Sequence, residues 1–289
     1  MKVLIAIPHA FSHKEGSLYS SQNENKREVK TRALSQATHG NLIRHQSNHY
    51  IHASKGLGTE VFTRMLRSED GFDITIQIYT PKGASLVNNI YHNSHINILY
   101  PDLQDFSDGN YTRLPLYASQ KLLEQANEYD IICYMEDDIL IEDRDFFSKL
   151  IYLDRQTDGT IAFMPHRCEY IPGRGDVILS GDPDGGRPDL FWDTGEKVSI
   201  NWPLKNKVFY RATNPHSGCY FLTQRQALRV RDHWESKQWV SNFQLAGPLE
   251  QAGSGLLLPI LKIMKPIPSQ YRFLMVHHLD DLWRRHDFE

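Results

Sequence analysis

The chain has 289 residues, 40% hydrophobic and 23% charged, with a formal net charge of −3 from 32 basic and 35 acidic side chains. That length buries a sizeable core in one large or two small α/β domains, and the composition is that of a globular protein rather than a disordered or fibrous one. The charge balance excludes the basic footprint of a nucleic-acid binder and an obligatory polybasic membrane patch.

In chain order, residues 3–7 are a short β-branched and aliphatic run stopped by Pro8, the pattern of a central parallel strand. Residues 11–30 are polar and charged and read as a long loop. Residues 31–67 are helix-compatible in parts and carry His39, His45, His49 and His52, with Gly56 and Gly58 breaking the pattern before a short helical segment at 60–67. Residues 73–79 alternate and read as a strand, as do 95–100. An amphipathic helix is expected over 114–129, with Leu116, Leu122, Leu123 and Ala126 on its apolar positions. A strand at 131–134 runs into an acidic cluster, followed by a helix at 145–153 and a strand at 160–164. Residues 171–206 are rich in Gly, Pro and Asp and read as a surface excursion with a small hairpin. A strand at 217–223 and a helix at 224–235 follow; residues 249–264 are mostly apolar, and 265–289 are expected to leave the core. This order predicts an α/β fold, a mostly parallel central sheet flanked by helices, in a single domain spanning 1–289.

Cys133, Cys168 and Cys219 form no CxxC pair, so they are expected as small core residues in a reducing compartment. The apolar start ends at Pro8-His9, too soon for a secretory signal, and no stretch approaches the roughly 20 apolar residues that span a bilayer. A cytoplasmic protein is expected, with peripheral membrane contact left open.

The segment Ile131-Ile132-Cys133-Tyr134-Met135-Glu136-Asp137-Asp138-Ile139-Leu140-Ile141 carries the chemistry. Three successive carboxylates between apolar runs must be paired, metal-bound or turned to solvent, because desolvating each charge is costly. On an extended backbone Glu136 and Asp138 point one way and Asp137 the other. Two carboxylates on one face make a hard-oxygen site suited to Mg²⁺ or Mn²⁺. A turn at Asp137 would exchange those roles, and an ordinary solvated turn after a strand is the plain alternative. Ligands of open α/β sheets bind beyond the carboxyl ends of strands, where this cluster falls.

An apolar strand, then Glu/Asp-x-Asp, then an apolar triplet resembles the DxD motif of GT-A fold glycosyltransferases, here as Glu136-Asp137-Asp138. The N-terminal strand VLIAIP and the later SGCYFLT are similar to strands of that fold, and the resemblance covers most of residues 1–280 as an ordering of features. It implies a nucleotide-sugar-binding half at 1–138 and an acceptor-binding half at 139–289. It implies Glu136 and Asp138 as metal ligands and, at Leu249-Glu250-Gln251, Glu250 as the catalytic base of an inverting reaction. His277 or His278 stands where many members place a further metal ligand, His277 being favoured because it directly follows the last apolar run. Pro8, Lys30, Arg32, Arg113 and Asp137 are the candidate contacts to the donor.

The expected activity is transfer of a sugar from a nucleotide-sugar donor to a glycan or lipid-linked acceptor, with Mn²⁺ or Mg²⁺ as cofactor and no nucleic-acid partner. A metal bridging the two donor phosphates would neutralise the departing diphosphate, and a carboxylate in reach would take the acceptor proton. Two rivals are a nucleotidyltransferase acting on sugar phosphates and a non-catalytic carbohydrate-binding module. The first normally has a Gly-rich basic loop after strand one, whereas residues 8–30 hold one Gly. His45 and His49 could share a helix face and bind zinc, though no HExxH pattern is present. Tyr170, Trp192 and Trp202 suit stacking on sugar faces or a local core, and GDPDGG at 181–186 reads as a turn.

Overall fold

The computed structural model describes residues 1–12, 24–46, 49–67, 71–104, 106, 109–171, 173, 175–179, 193–212, 215–239 and 247–279. The central sheet has the order β13 (Cys219–Thr223), β6 (Ile131–Met135), β1 (Lys2–Pro8), β4 (Asp73–Tyr79), β5 (Ile96–Leu99). β6, β1, β4 and β5 run parallel, and β13 is antiparallel to β6. The architecture is therefore the expected one: mixed α/β with a mostly parallel, Rossmann-like central sheet.

Alternation along β1 explains the layers. Val3, Ile5 and Ile7 join a core cluster with Leu34 and Leu42 on one face, and Leu4 and Ala6 join Leu122, Leu123 and Trp234 on the other. Both faces of the strand are covered, so its side chains form a continuous apolar run. Each fully buried Ile or Leu contributes about 1.5–3 kcal/mol. The first face is covered by α1 (Glu24–Ser35), a π-helical turn (Gln36–Gly40), α2 (Asn41–His45) and later by α4 (Phe146–Gln156). The second is covered by α3 (Leu114–Glu124) and α5 (Gln224–Ser236), the latter opened by a capping box between Thr223 and Gln226.

Two smaller sheets extend the body. One has the order β10 (Gly175–Leu179), β9 (His166–Ile171), β15 (Met275–His278), β7 (Ile139–Leu140). The other has the order β11 (Asp193–Ile200), β12 (Lys207–Ala212), β14 (Lys262–Pro266), β8 (Ile161–Phe163). β2 (His49–Lys55) and β3 (Val61–Arg67) form a separate antiparallel hairpin that exposes Leu57, Val61, Phe62 and Met65. The chain closes its described part with α6 (Pro248–Glu250), a π-helical turn (Gln251–Gly255), β14 and β15.

Several expectations need correction. The loop expected over 11–30 is helical from Glu24 onward, because Ala33, Leu34 and Ala37 anchor that segment to the core; residues 13–23 lie outside the described residues. Residues 61–67 form a strand rather than a helix, since Val61, Phe62 and Thr63 favour extended backbone and Gly56 and Gly58 lie in the reversal. His45 ends α2 while His49 starts β2, so the two share no helix face and the zinc reading fails. His45 instead bonds the Ile141 carbonyl at 3.0 Å. Residues 265–279 do not leave the core: Leu274 and Val276 are fully buried, and β15 is sheet-paired on both sides. The excursion at 171–206 contributes β10 and β11, while Trp192 and the 181–186 turn lie outside the described residues. Trp202 packs edge-on against Tyr152 and Phe273, a local core. All three cysteines are buried and free. No helix of the described residues is long and apolar enough to cross a membrane.

His166 yields a pH prediction. Burial and then the Lys265 charge push its pKa down from 6.5 to about 4, against a 2.6 Å bond to the Pro266 carbonyl. The unfolded chain therefore binds this proton at a higher pH than the native one, and stability falls as pH drops from about 6.5 to about 4. The loss at this residue reaches roughly 3 kcal/mol. Urea denaturation between pH 7 and 4 should show a shallower decline for His166→Gln than for wild type; equal declines would refute the assignment.

Candidate active site

The carboxyl ends of β1, β4 and β6 lie on one edge of the sheet because those strands are parallel. A cleft of about 330 Å³ opens there, floored by Pro8, His9, Glu136, Asp137 and Asp138. Lys26 and Lys30 reach it from α1, Tyr111, Leu114 and Pro115 from the start of α3, and Leu249 from α6.

The backbone resolves the acidic cluster. β6 stops at Met135, and Asp137 and Asp138 lie in a turn before β7. The straight-strand alternation therefore does not hold, and each carboxylate has its own surroundings. The turn is held from below: Asn41 donates to the Ile139 carbonyl at 3.2 Å and accepts from the Ile141 amide at 2.9 Å.

Glu136 faces inward. Its backbone amide donates to the Gly218 carbonyl at 2.8 Å, and its carboxylate lies 3.4 Å from both Arg167 and His216. Burying this charge is tolerable only because those cationic and polar partners meet it. Glu136 thus lines the cleft beside Asp138 and is also held in an ionic cluster with Arg167 and His216. Gly218 permits the close approach. Its φ is +67°, and a Cβ there would stand 3.0 Å from Glu136 Oε2.

Asp137 is the partly exposed member, with 21% of its side chain accessible. His9 holds it at 2.6 Å. The Leu86 amide donates to His9 Nε2, so the ring proton sits on Nδ1 and is donated to Asp137.

Asp138 is buried and meets two cations from distant parts of the chain, Lys30 Nζ at 3.3 Å and His278 Nε2 at 3.5 Å. Burial alone would raise its pKa, but the charges of His278 and then Lys30 hold it well below the usual carboxylate range. Burial would likewise depress His278; the Asp138 charge and the bonds to Asp138 and Glu169 raise it to about 10. Glu169 is fully buried and accepts from His278 Nδ1 at 2.7 Å. One oxygen of Asp138, Oδ1, is buried with no hydrogen-bond partner among the described residues.

Sheet register explains why His278 and not His277 arrives here. His278 pairs with Ile139 in the antiparallel β7–β15 ladder, and the Leu279 amide donates to the Asp138 carbonyl at 2.8 Å. His277 alternates to the other side and lies 3.2 Å from Glu142. The expectation for His277 is corrected accordingly.

Pro8 and Lys30 line the cleft. Arg32 does not: its side chain is 70% exposed on the outer side of α1, 4.0 Å from Glu28. Arg113 is also exposed and lies outside the lining, although Tyr111 and Leu114 beside it belong to it. Glu250 is half-buried on the turn that presents Leu249 to the cleft. Gly253 lets that turn approach closely, since a Cβ there would stand 3.2 Å from the His216 ring. Sequence reasoning overlooked His9, Arg167, Glu169 and His216. His9 carried a readable signal, its place directly after the strand-ending Pro8; the others become visible only through sheet pairing.

Among the described residues no group of three or more His, Cys, Asp or Glu side chains is arranged as a ready-made metal cage. The donor set that does fit is Asp138 with His278, the histidine oriented by Glu169 as metal-binding imidazoles commonly are. The unpartnered Asp138 Oδ1 leaves an oxygen for a hard cation. Mg²⁺-type ions are often bound through one or two carboxylates, with water and phosphate oxygens completing the shell.

No family model matches the chain, and no curated protein matches it. Among solved structures it is similar to TarS of S. aureus, residues 1–349, with a TM-score of 0.45 and 10% identity over 96% of this chain. The alignment spans 60% of that TarS chain. It is also similar to a CMP:2-keto-3-deoxy-manno-octonic acid synthetase complexed with CTP, with a TM-score of 0.36 and 9% identity over 92% of this chain and 90% of the other.

Gly218→Ala should lower stability by about 1–3 kcal/mol in urea denaturation, from the left-handed backbone and the displaced Glu136. Stability within about 0.5 kcal/mol of wild type would show that Glu136 can move aside and that the contact is not a constraint.

Proposed function

We propose that this chain is a metal-dependent enzyme acting on a nucleotide sugar, a glycosyltransferase that moves the sugar to a glycan or lipid-linked acceptor. One observation carries the reading. At the carboxyl edge of the parallel sheet, a buried Asp138 lines the cleft with Lys30 and touches His278 behind it, while its Oδ1 has no hydrogen-bond partner among the described residues.

Roles follow from chemistry. Asp138 and His278 would hold Mn²⁺ or Mg²⁺, and placing a metal on His278 Nε2 requires that nitrogen to release its proton. A divalent ion bound there acts as a Lewis acid toward the diphosphate. Lys26 and Lys30 line the same cleft and supply positive charge for phosphate oxygens. Asp137, held by His9 and partly exposed, is the candidate partner for a donor hydroxyl. Glu250, half-buried beside cleft-lining Leu249, is the candidate base for the acceptor proton. The half assignments, 1–138 for the donor and 139–289 for the acceptor, belong to this proposal, as does a cytoplasmic site of action.

Thermal shift with UDP-, GDP- and CMP-sugars tests the reading, because a ligand that binds only the native state raises its melting temperature. One donor should stabilise the protein in the presence of Mn²⁺ and not in its absence. Asp138→Ala should lose that stabilisation and the donor hydrolysis that accompanies it. Glu169→Gln, which removes the carboxylate that orients His278 and raises its basicity, should weaken Mn²⁺ binding about 10–100-fold. Full activity in Asp138→Ala would overturn the metal role, and pyrophosphate release from a nucleoside triphosphate would favour a nucleotidyltransferase instead.

A further inference from the structure

A second cavity of about 620 Å³ lies on the far side of the Asp138–His278 pair, with Leu140, Glu142, His277 and His278 in its wall. It shares Arg272 with a third concavity of about 490 Å³. The two are joined by ion pairs as well. Asp143 of the second cavity is held by Lys149 of the third at 2.5 Å, and Asp176 of the second is bound by Arg272 at 3.1 Å. A continuous set of side chains thus runs from the cleft, past His278, to the third concavity.

That third concavity is lined by Lys149, Lys205, Lys207 and Arg272 and, among the described residues, by no carboxylate. In a chain with net charge −3, such a grouping runs against the overall composition. Its floor is aromatic. Lys149 and Lys207 stand 5.0 and 5.1 Å from the Phe273 ring, and Trp202 packs edge-on against the same ring at 4.8 Å. Lys149 and Arg272 have the carboxylate partners given above; Lys205 and Lys207 show none among the described residues. Like charges gathered in a concave, low-dielectric wall focus the field on whatever enters and favour an anion there.

We propose that this groove is a subsite for an anionic chain, one that carries phosphate or carboxylate groups at intervals. Resting on the sugar-transfer reading above, it makes that chain the acceptor, with its charged body along Arg272, Lys149, Lys207 and Lys205. Lys205 and Lys207, which have no carboxylate partner among the described residues, supply the charge that favours an anionic chain over a neutral one.

The test is calorimetric titration of the intact, metal-free chain with linear inorganic polyphosphate at low salt, with neutral dextran as the comparison. Wild type should bind polyphosphate and not dextran, and affinity should fall as salt is raised. Lys205→Ala/Lys207→Ala should weaken polyphosphate binding about tenfold, equal to about 1.4 kcal/mol, with an unchanged melting temperature. Lys205→Arg/Lys207→Arg should restore it. Lys55→Ala/Lys82→Ala, two exposed lysines elsewhere, should bind as wild type does. The proposal is overturned if Lys205→Ala/Lys207→Ala binds polyphosphate like wild type, if dextran binds as well, or if Lys55→Ala/Lys82→Ala loses as much affinity. Binding to phosphatidylglycerol vesicles without binding to polyphosphate would overturn a chain in favour of a lipid headgroup. Neither donor nor Mn²⁺ is needed, so loss of nucleotide-sugar binding would sink the sugar-transfer reading and leave this result standing.

Discussion

The charge on Asp138 is buried at the carboxyl edge of the central sheet, and an isolated buried carboxylate costs several kcal/mol. Lys30 from the first helix and His278 from the last described strand meet that charge. Three segments far apart in the chain are thereby brought to one point, and the cleft takes its shape from their convergence. His278 is itself held by Glu169, whose side chain is fully buried. The second layer therefore orients the first, as precise placement of a charged site demands.

The three successive acids divide their work because the backbone turns after Met135. Glu136 is held by Arg167 and His216 at the floor, Asp137 is tied to His9 and reaches solvent, and Asp138 meets Lys30 and His278. Neighbours in sequence thus have unlike electrostatic environments, the condition under which similar groups take different chemical roles. β7 and β15 make the division stable. Asn41 bonds the backbone on both sides of Leu140, and β15 pairs with the same two-residue strand.

Away from the cleft, charge is distributed with the same economy. The surface beyond His278 changes from carboxylate- and histidine-lined to cationic near Lys207. Arg272 stands at the junction, its guanidinium held by Asp176 and its flank shared between the two concavities. The hairpin of β2 and β3 is different in kind, with apolar side chains exposed on a two-stranded ribbon.

Much of the central sheet was legible from sequence alone. The runs at 3–7 and 131–134 are β-branched and apolar, the pattern of strands covered on both faces, and the alternation at 73–79 is enough to mark a strand there. The importance of residues 136–138 was equally legible, since carboxylates between apolar runs require a partner. What local pattern could not decide was register and turning. The strand at 61–67 was misread because Glu60, Arg64 and Arg67 suit a helix as well as an edge hairpin. Whether His277 or His278 meets Asp138 depends on the pairing of β15 with β7, a contact across some 140 residues whose one-residue slip would exchange the two rings. Sequence by itself determined the strands and the acids; tertiary structure decided which acid is buried, what faces it and where each ring points, because those outcomes depend on hydrogen bonds and charges between segments that have no local relation.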